Sequence, residues 1–186
     1  MTNEVRQPTE ESWIGKFLDY TKNLPSPLIF RKWAAVSCIM GALERRVYLH
    51  NFEDDVQLFP SHYIILVGEP GVGKSVVINK VKDLWVSTSA LKIGPDAATK
   101  AAMVDAVMAS TRACKDGNET YSAHCLQIAS AEFGNLIHKY DHELINFYNR
   151  MWDCPDIFEE RLRYGEHKEI TIDHVQVNIL AGTQPS

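Results

Sequence analysis

The chain has 186 residues, of which 45% are hydrophobic and 23% are charged. This length and composition are typical of one ordinary globular domain with a small appendage, which can bury a core without disulfides or metals. The formal net charge of -5 argues against a cationic protein that coats DNA, although a local basic patch remains compatible with it.

The cysteines and the N-terminus both favour a cytoplasmic protein. Cys38, Cys114, Cys125 and Cys154 are widely spaced and form no C-x-x-C pair, so we expect reduced thiols rather than a disulfide framework or a zinc ribbon. Residues 1–11 are polar and acidic and lack the pattern of a signal peptide. No apolar run approaches the roughly 20 residues that a membrane helix needs, so no membrane partner is expected.

The N-terminal part of the chain is predicted to be helical. Residues 1–10 have the composition of a disordered tail, and residues 11–58 form a helical segment ahead of the main domain. Apolar residues recur at helical spacing over 11–22, and two prolines in residues 24–27 break that helix. A second helix is predicted over residues 28–46, with apolar positions so dense that we expect it to be covered on more than one side.

The predicted main domain, residues 59–186, alternates strands with helices. Tyr63–Val67 is a short, continuous apolar run, which is typical of a buried central strand in a parallel sheet, and a helical pattern follows over residues 76–86. Further strands are predicted at residues 91–93, 122–130 and 175–180, helices at 97–111 and at 132–152 with a break near Asp141, and loops at 112–120 and 161–169. This alternation predicts an α/β fold.

The segment between the Tyr63–Val67 strand and the next helix matches the phosphate-loop pattern G-x-x-x-x-G-K-[ST] in full. Glycine permits backbone conformations that are closed to other residues and lets main-chain N–H groups approach phosphates. The helix that follows adds a favourable dipole for anions. The nucleotide-binding residues predicted in this way are Gly68, Glu69, Pro70, Gly71, Val72, Gly73, Lys74 and Ser75.

Within this phosphate loop, residues 68–75, each position has a predicted task. Lys74 is expected to reach the β- and γ-phosphates, and the Ser75 hydroxyl to ligate Mg²⁺. Pro70 stiffens the loop. A chance match is expected on the order of once in a hundred such chains, and the strand before and helix after it are the required context. The sequence therefore predicts binding of ATP with Mg²⁺.

A glutamate after a later strand is the candidate catalytic acid. In P-loop ATPases a second strand usually ends in acidic residues that ligate Mg²⁺ or orient the attacking water, and here residues 126–130 lead into Glu132. We predict that Glu132 is the general base or positions the water. The usual aspartate before it is replaced by Ala131, which leaves Ser130 as a weaker Mg²⁺ contact. The alternative is that Glu132 caps the following helix and favours it as a first-turn acid.

The last predicted strand ends in Thr183 and Gln184. A polar side chain at the carboxyl edge of a strand in an open α/β sheet points toward the ligand crevice, so Gln184 is predicted to contact the γ-phosphate or the water. The alternative is a turn residue before Pro185.

With these segments in this order, the chain resembles RecA-like P-loop ATPases. More narrowly, it is similar to a family of phage-, plasmid- and prophage-encoded proteins described as helicase- or primase-associated. The resemblance covers about residues 25–186. It rests on residues 28–47 as a helical lead-in, Pro60 before the strand, residues 68–75, residues 94–96 with Thr99, and residues 130–134, 152–156 and 178–185.

The resemblance implies a RecA-like three-layer α/β/α fold with a mostly parallel sheet, and ATP-driven work on DNA in phage or plasmid replication. Such motors usually act as rings in which a neighbour's arginine completes each site, so we expect a homo-oligomer with single-stranded DNA as a partner. That arginine typically lies beyond the strand ending at Gln184, and we therefore expect an incomplete, C-terminally truncated core. Arg161 and Arg163 are candidates to act in trans, although a solvated turn is the simpler interpretation.

Two other functions fit parts of the sequence. A small-molecule P-loop kinase suits the length, but a long segment precedes Gly68 and no arginine-rich lid is evident. A nucleotide-binding regulatory module without turnover is compatible with Ala131. His138 and His142 have the spacing of a metal pair on one helix face, but further ligands are missing.

Four basic residues on the second predicted helix could touch a DNA backbone, although a solvated helix face is the simpler interpretation. They are Arg31, Lys32, Arg45 and Arg46.

Overall fold

The computed structural model of the chain describes residues 11–51, 56–117, 119–138, 141–162 and 168–185. The predicted disordered tail lies outside them, as does Arg163. The helices are α1 Trp13–Tyr20, α2 Leu28–Leu43, α3 Lys74–Ser87, α4 Lys100–Met108, α5 Phe133–Leu136 and α6 His142–Trp152, with a 3-10 turn, Glu44–Arg46, after α2. The strands are β1 Leu49–Asn51, β2 Val56–Leu58, β3 Tyr63–Val67, β4 Thr111–Asp116, β5 Glu119–Ser130, β6 Ile157–Leu162, β7 Lys168–Asp173 and β8 Val175–Thr183.

The main sheet has four strands in the order β3-β8-β5-β4. β8 pairs in parallel with both β3 and β5, and β4 pairs antiparallel with β5. Two further pairs, β1 with β2 and β6 with β7, are antiparallel. The predicted α/β fold with a mostly parallel sheet is therefore confirmed.

Helices cover both faces of this sheet. Side chains of α4 and α6 form one buried cluster with alternate residues of β8, such as Val177 and Ile179. Side chains of α2 and α3 form a second cluster on the opposite face, where Leu180 points. β8 is buried from Val175 to Gly182, because it has a neighbouring strand on each side and helices above and below it.

The structure corrects the predicted position of the strand before the phosphate loop. β3 lies at the edge of the sheet that the described strands form, whereas β8 is central. β3 is nevertheless a continuous apolar run, because side chains on both of its faces pack into buried clusters. The central strand β8 includes two buried polar residues, Gln176 and Asn178. An apolar run reports burial of the faces and not the number of neighbouring strands.

Several predicted boundaries also change. β4 and β5 form a β-hairpin, in which Gly117 at the turn has a left-handed conformation, φ +57°. The strand predicted at residues 122–130 is confirmed as part of β5, whereas residues 111–120 were expected to be a helix end and a loop. The predicted strand at residues 91–93 is reduced to one parallel bridge between Ile93 and Gln127. The break near Asp141 is confirmed, because the Asp141 carboxylate accepts a hydrogen bond from the Leu144 N–H at the start of α6.

The two N-terminal helices are confirmed, and α2 is buried only in part. Ala34 and Ala35 are fully buried between α1, α3 and the sheet, but Leu28, Ile29 and Trp33 are about half exposed. All four cysteines are free and buried. No helix in the described part of the chain is long and apolar enough to cross a membrane.

Candidate functional site

The phosphate loop has the backbone conformation that its glycines make possible. β3 ends at Val67 and α3 begins at Lys74. Gly71 has a φ of +78° and Gly73, which caps the helix, a φ of +88°. The space around Gly68 is tight: a Cβ there would lie 3.0 Å from the Val72 side chain and 3.2 Å from the Phe30 ring.

The Lys74 side chain folds back across the loop and is only 8% exposed. Its Nζ donates hydrogen bonds to the carbonyl oxygens of Gly68, at 2.6 Å, and Glu69, at 2.8 Å. An ammonium group has three protons to donate, so one remains for a ligand. The two bonds hold the positive charge over the loop, where an anion would lie.

The start of α3 presents hydrogen-bond donors beside this ammonium. The first N–H groups of a helix have no partner within the helix, and among the described residues the amides of Gly71 and Gly73 donate to no other group. Ser75, in the first turn, is exposed, so its hydroxyl is accessible. Amides, ammonium and hydroxyl together form a group of hydrogen-bond donors with positive charge, suited to phosphate oxygens.

Strands β3, β5 and β8 end at the same edge of the sheet, next to the phosphate loop. The Gly68 N–H donates to the Thr183 carbonyl at 3.2 Å. A Cβ on Gly182 would lie 2.9 Å from the Ala131 carbonyl oxygen and 3.5 Å from Lys74 Cβ. The parallel pairing thus brings the phosphate loop together with the segments around Glu132 and Gln184, as the sequence predicted.

Glu132 precedes α5 and is half-buried. Its side chain makes no capping hydrogen bond to α5, so the capping alternative has no support in these contacts. None of the ion pairs found within 4 Å among the described residues involves this carboxylate. It is therefore available to a water or a cation at this edge.

The predicted Mg²⁺ contact from Ser130 does not fit its surroundings. Ser130 is 2% exposed, and its hydroxyl donates to the Glu132 carbonyl oxygen at 2.9 Å. This bond ties the end of β5 to the residue that carries the carboxylate. Gln184, by contrast, is exposed directly after β8, so its side chain is free to reach a ligand.

A comparison with models of protein families finds no match for this chain. No curated protein matches it significantly either. The resemblance drawn from the sequence therefore stays a prediction.

Asp96 lies at the same edge and was not among the predicted site residues. It follows the bridging residue Ile93, and its carbonyl oxygen is 3.5 Å from Ser130 Oγ. Its carboxylate lies 3.4 Å from the Lys82 ammonium of α3. The sequence contained a signal for Asp96, because it is an acidic residue shortly after a predicted strand. The same pattern led to the prediction of Glu132.

The four basic residues of the predicted second helix do not form a single surface, since two of them lie in the 3-10 turn after α2. Arg45 is 2% exposed and bonds to the Cys154 carbonyl and the Asp156 carboxylate. It therefore cannot contact a DNA backbone. Arg31 donates to two backbone carbonyls. Arg161 belongs to β6, but its side chain is outside the description.

His138 and His142 do not share a helix face, because α6 begins at His142. No group of three His, Cys, Asp or Glu side chains in the described residues could hold a metal ion.

Burial lowers the pKa of another histidine, His62, to about 4. That residue lies in the polar interior, 2.7 Å from Ser37 Oγ.

Proposed function

We propose that this protein binds ATP with Mg²⁺ on the phosphate loop and hydrolyses it to drive work on DNA. The observation that carries the proposal is the position of the Lys74 ammonium. It is held over the loop by the carbonyls of Gly68 and Glu69. Beside it lie the amides of Gly71 and Gly73, for which the described residues offer no acceptor. This arrangement favours a multiply charged phosphate over a neutral ligand.

The residues present fit a magnesium ion that is shared with the nucleotide. Mg²⁺ usually keeps several waters and takes only one or two protein oxygens, together with phosphate oxygens. The exposed Ser75 hydroxyl would be the protein ligand. The Glu132 carboxylate, at the same edge of the sheet, would bind its waters. The ion would neutralise charge on the β- and γ-phosphates.

For hydrolysis, a water oxygen attacks the γ-phosphorus in line with the bond to ADP, which breaks. The Glu132 carboxylate orients this water and accepts its proton. Lys74 and the loop amides stabilise the charge on the transferred phosphoryl oxygens. Gln184, next to the loop after β8, contacts the γ-phosphate or the water.

A second candidate is a nucleotide-binding module without turnover. It is favoured by the absence of an acid at Ala131 and by the Ser130 hydroxyl, which is already engaged with the Glu132 carbonyl. With one acid fewer, the charge that fixes the metal and the water is reduced. Binding is therefore supported by more contacts than hydrolysis.

The finer fold assignment is also part of this proposal. A RecA-like fold, a ring-forming homo-oligomer and single-stranded DNA as a partner all rest on the resemblance. What supports them is the parallel order of β3, β8 and β5, which puts all the predicted site residues at one edge. The arginine in trans, Arg161 or Arg163, belongs to the same proposal.

The experiment is a measurement of ATP binding and of phosphate release, with and without single-stranded DNA. Release that DNA stimulates supports the motor. Binding without release, with or without DNA, favours the regulatory module. Transfer of phosphate to a nucleotide or metabolite favours a kinase. Failure to bind ATP at millimolar concentration, with the protein folded, would refute the phosphate site itself.

A further inference from the structure

The turn between α1 and α2 lies directly against the phosphate loop. We call residues 24–27 the interhelical turn. A Cβ on Gly73 would lie 1.7 Å from the Pro25 carbonyl oxygen and 2.8 Å from Ser26 Cα. Glycine at this position therefore has two roles: it adopts the left-handed backbone conformation, and its lack of a Cβ leaves space for the turn.

A second contact reaches the other end of the loop. Phe30, in the first turn of α2, places its ring 3.2 Å from the position of a Cβ on Gly68. The Val72 side chain lies 3.0 Å from the same point. The N-terminal segment thus touches the loop at the glycine that opens it and at the glycine that closes it.

The interhelical turn is itself tied to both helices. Arg31 Nε donates to the Ser26 carbonyl at 3.2 Å, and Arg31 Nη1 donates to the Leu18 carbonyl at 3.2 Å. The Leu24 N–H donates to the Thr21 carbonyl at 3.0 Å. Because of these bonds, the turn cannot leave the loop without disturbing α1 or the start of α2.

We propose that the interhelical turn and Phe30 position the phosphate loop for nucleotide binding, so that docking of the N-terminal helices and binding of nucleotide stabilise each other. This inference rests on the proposed function. A loop already held in its bound conformation loses less entropy when a ligand arrives. Coupling of this kind is reciprocal, so the nucleotide must favour the docked turn by the same factor.

The first test compares Phe30→Ala with Ile29→Ala, the matched control. Ile29 is the preceding residue of α2, is 55% exposed and has no part in the contacts with the loop glycines. Titration with ADP and Mg²⁺ in a calorimeter is expected to show affinity on the order of tenfold weaker for Phe30→Ala and unchanged for Ile29→Ala, a factor readily measured. Phe30→Leu, which restores part of the ring volume, is expected to recover affinity.

The second test uses the wild-type chain and measures amide hydrogen exchange. With ADP and Mg²⁺ at 100 times the dissociation constant, exchange in residues 18–30 is expected to slow by up to about 100-fold, the limit set by mass action. Amides of the β6–β7 hairpin are the internal control and should not change. If Phe30→Ala does not fold, Arg31→Ala takes its place, since it releases the turn and leaves the ring contact.

The outcomes separate the two proposals. If the wild type binds nucleotide but exchange in residues 18–30 is unchanged, or if Phe30→Ala binds as well as Ile29→Ala, the coupling is refuted and the nucleotide site stands. If the folded wild type binds no nucleotide, the proposed function fails and the coupling fails with it.

Discussion

Alanine substitution at two glycines of the phosphate loop tests the geometry without any nucleotide. Gly71 and Gly73 both have a left-handed backbone, with φ of +78° and +88°. A Cβ on Gly71 would meet nothing within 4 Å, whereas a Cβ on Gly73 would lie 1.7 Å from the Pro25 carbonyl oxygen. The pair therefore shares the backbone strain and differs in the steric clash.

The expected magnitudes follow from these two terms. The left-handed conformation costs a non-glycine residue about 1–2 kcal/mol, of which alanine recovers some tenths by restricting the unfolded chain. Gly71→Ala should therefore lower the free energy of unfolding by about 1 kcal/mol. Gly73→Ala adds an overpacking cost of about 1–3 kcal/mol, because a backbone carbonyl has no rotamer by which to move aside.

Thermal and urea unfolding measure the difference directly. For a chain of this size 1 kcal/mol corresponds to about 2–4 °C, so Gly73→Ala should melt several degrees below Gly71→Ala. Equal stabilities of the two variants would show that the interhelical turn does not lie against Gly73. That result would also remove the first contact on which the proposed coupling rests.

Three further predictions concern the site and the interior. Lys74→Ala should weaken ATP binding on the order of 100-fold. Lys80→Ala, which removes the same charge from a later turn of α3, should leave ATP affinity near that of the wild type. Calorimetry measures both affinities, and an intact affinity in Lys74→Ala would contradict the phosphate role. Glu132→Gln should lower phosphate release by about 100-fold or more with ATP affinity kept, and unchanged release would remove Glu132 from the mechanism. Burial lowers the pKa of His62 from 6.5 to about 4, so between pH 4 and 6.5 the unfolded chain binds more protons than the folded chain. The free energy of unfolding should therefore fall by about 3 kcal/mol as the pH drops from 6.5 to 4. In urea unfolding, His62→Gln should lack this pH-dependent loss of stability.

The parts of the site that could be predicted are local in sequence. The phosphate loop, its strand and its helix are contiguous, and the pattern of glycines before Lys74 specifies the backbone that the structure shows. Glu132 and Gln184 were found because each follows a strand. Parallel strands bring their carboxyl ends to one edge of a sheet, so this pattern predicted their proximity to the loop before any contact was known.

The errors arose where one pattern fits two structures. For residues 111–120 the sequence predicts a helix end and a loop, where the structure has β4 and the start of β5, because the charged residues on either side of Gly117 hide the alternation of a strand that is exposed on one face. β3 was expected in the centre of the sheet, since burial by helices and burial by strands leave the same apolar run. The Ser130 hydroxyl was expected to be free, and its partner is a backbone carbonyl that no side-chain pattern reveals.

The amino-acid sequence by itself determined that residues 68–75 form a glycine-rich turn between a strand and a helix, because that pattern is encoded by neighbouring residues whose conformational limits and charges are intrinsic. Only the tertiary structure decided what surrounds the loop. It placed Asp96 beside Ser130, buried Arg45 away from solvent, and laid Pro25 and Phe30 against the two outer glycines. These contacts join residues that are far apart in the chain, and many of them are made to backbone atoms. Because every residue has the same backbone atoms, the sequence does not show which residue will make such a contact.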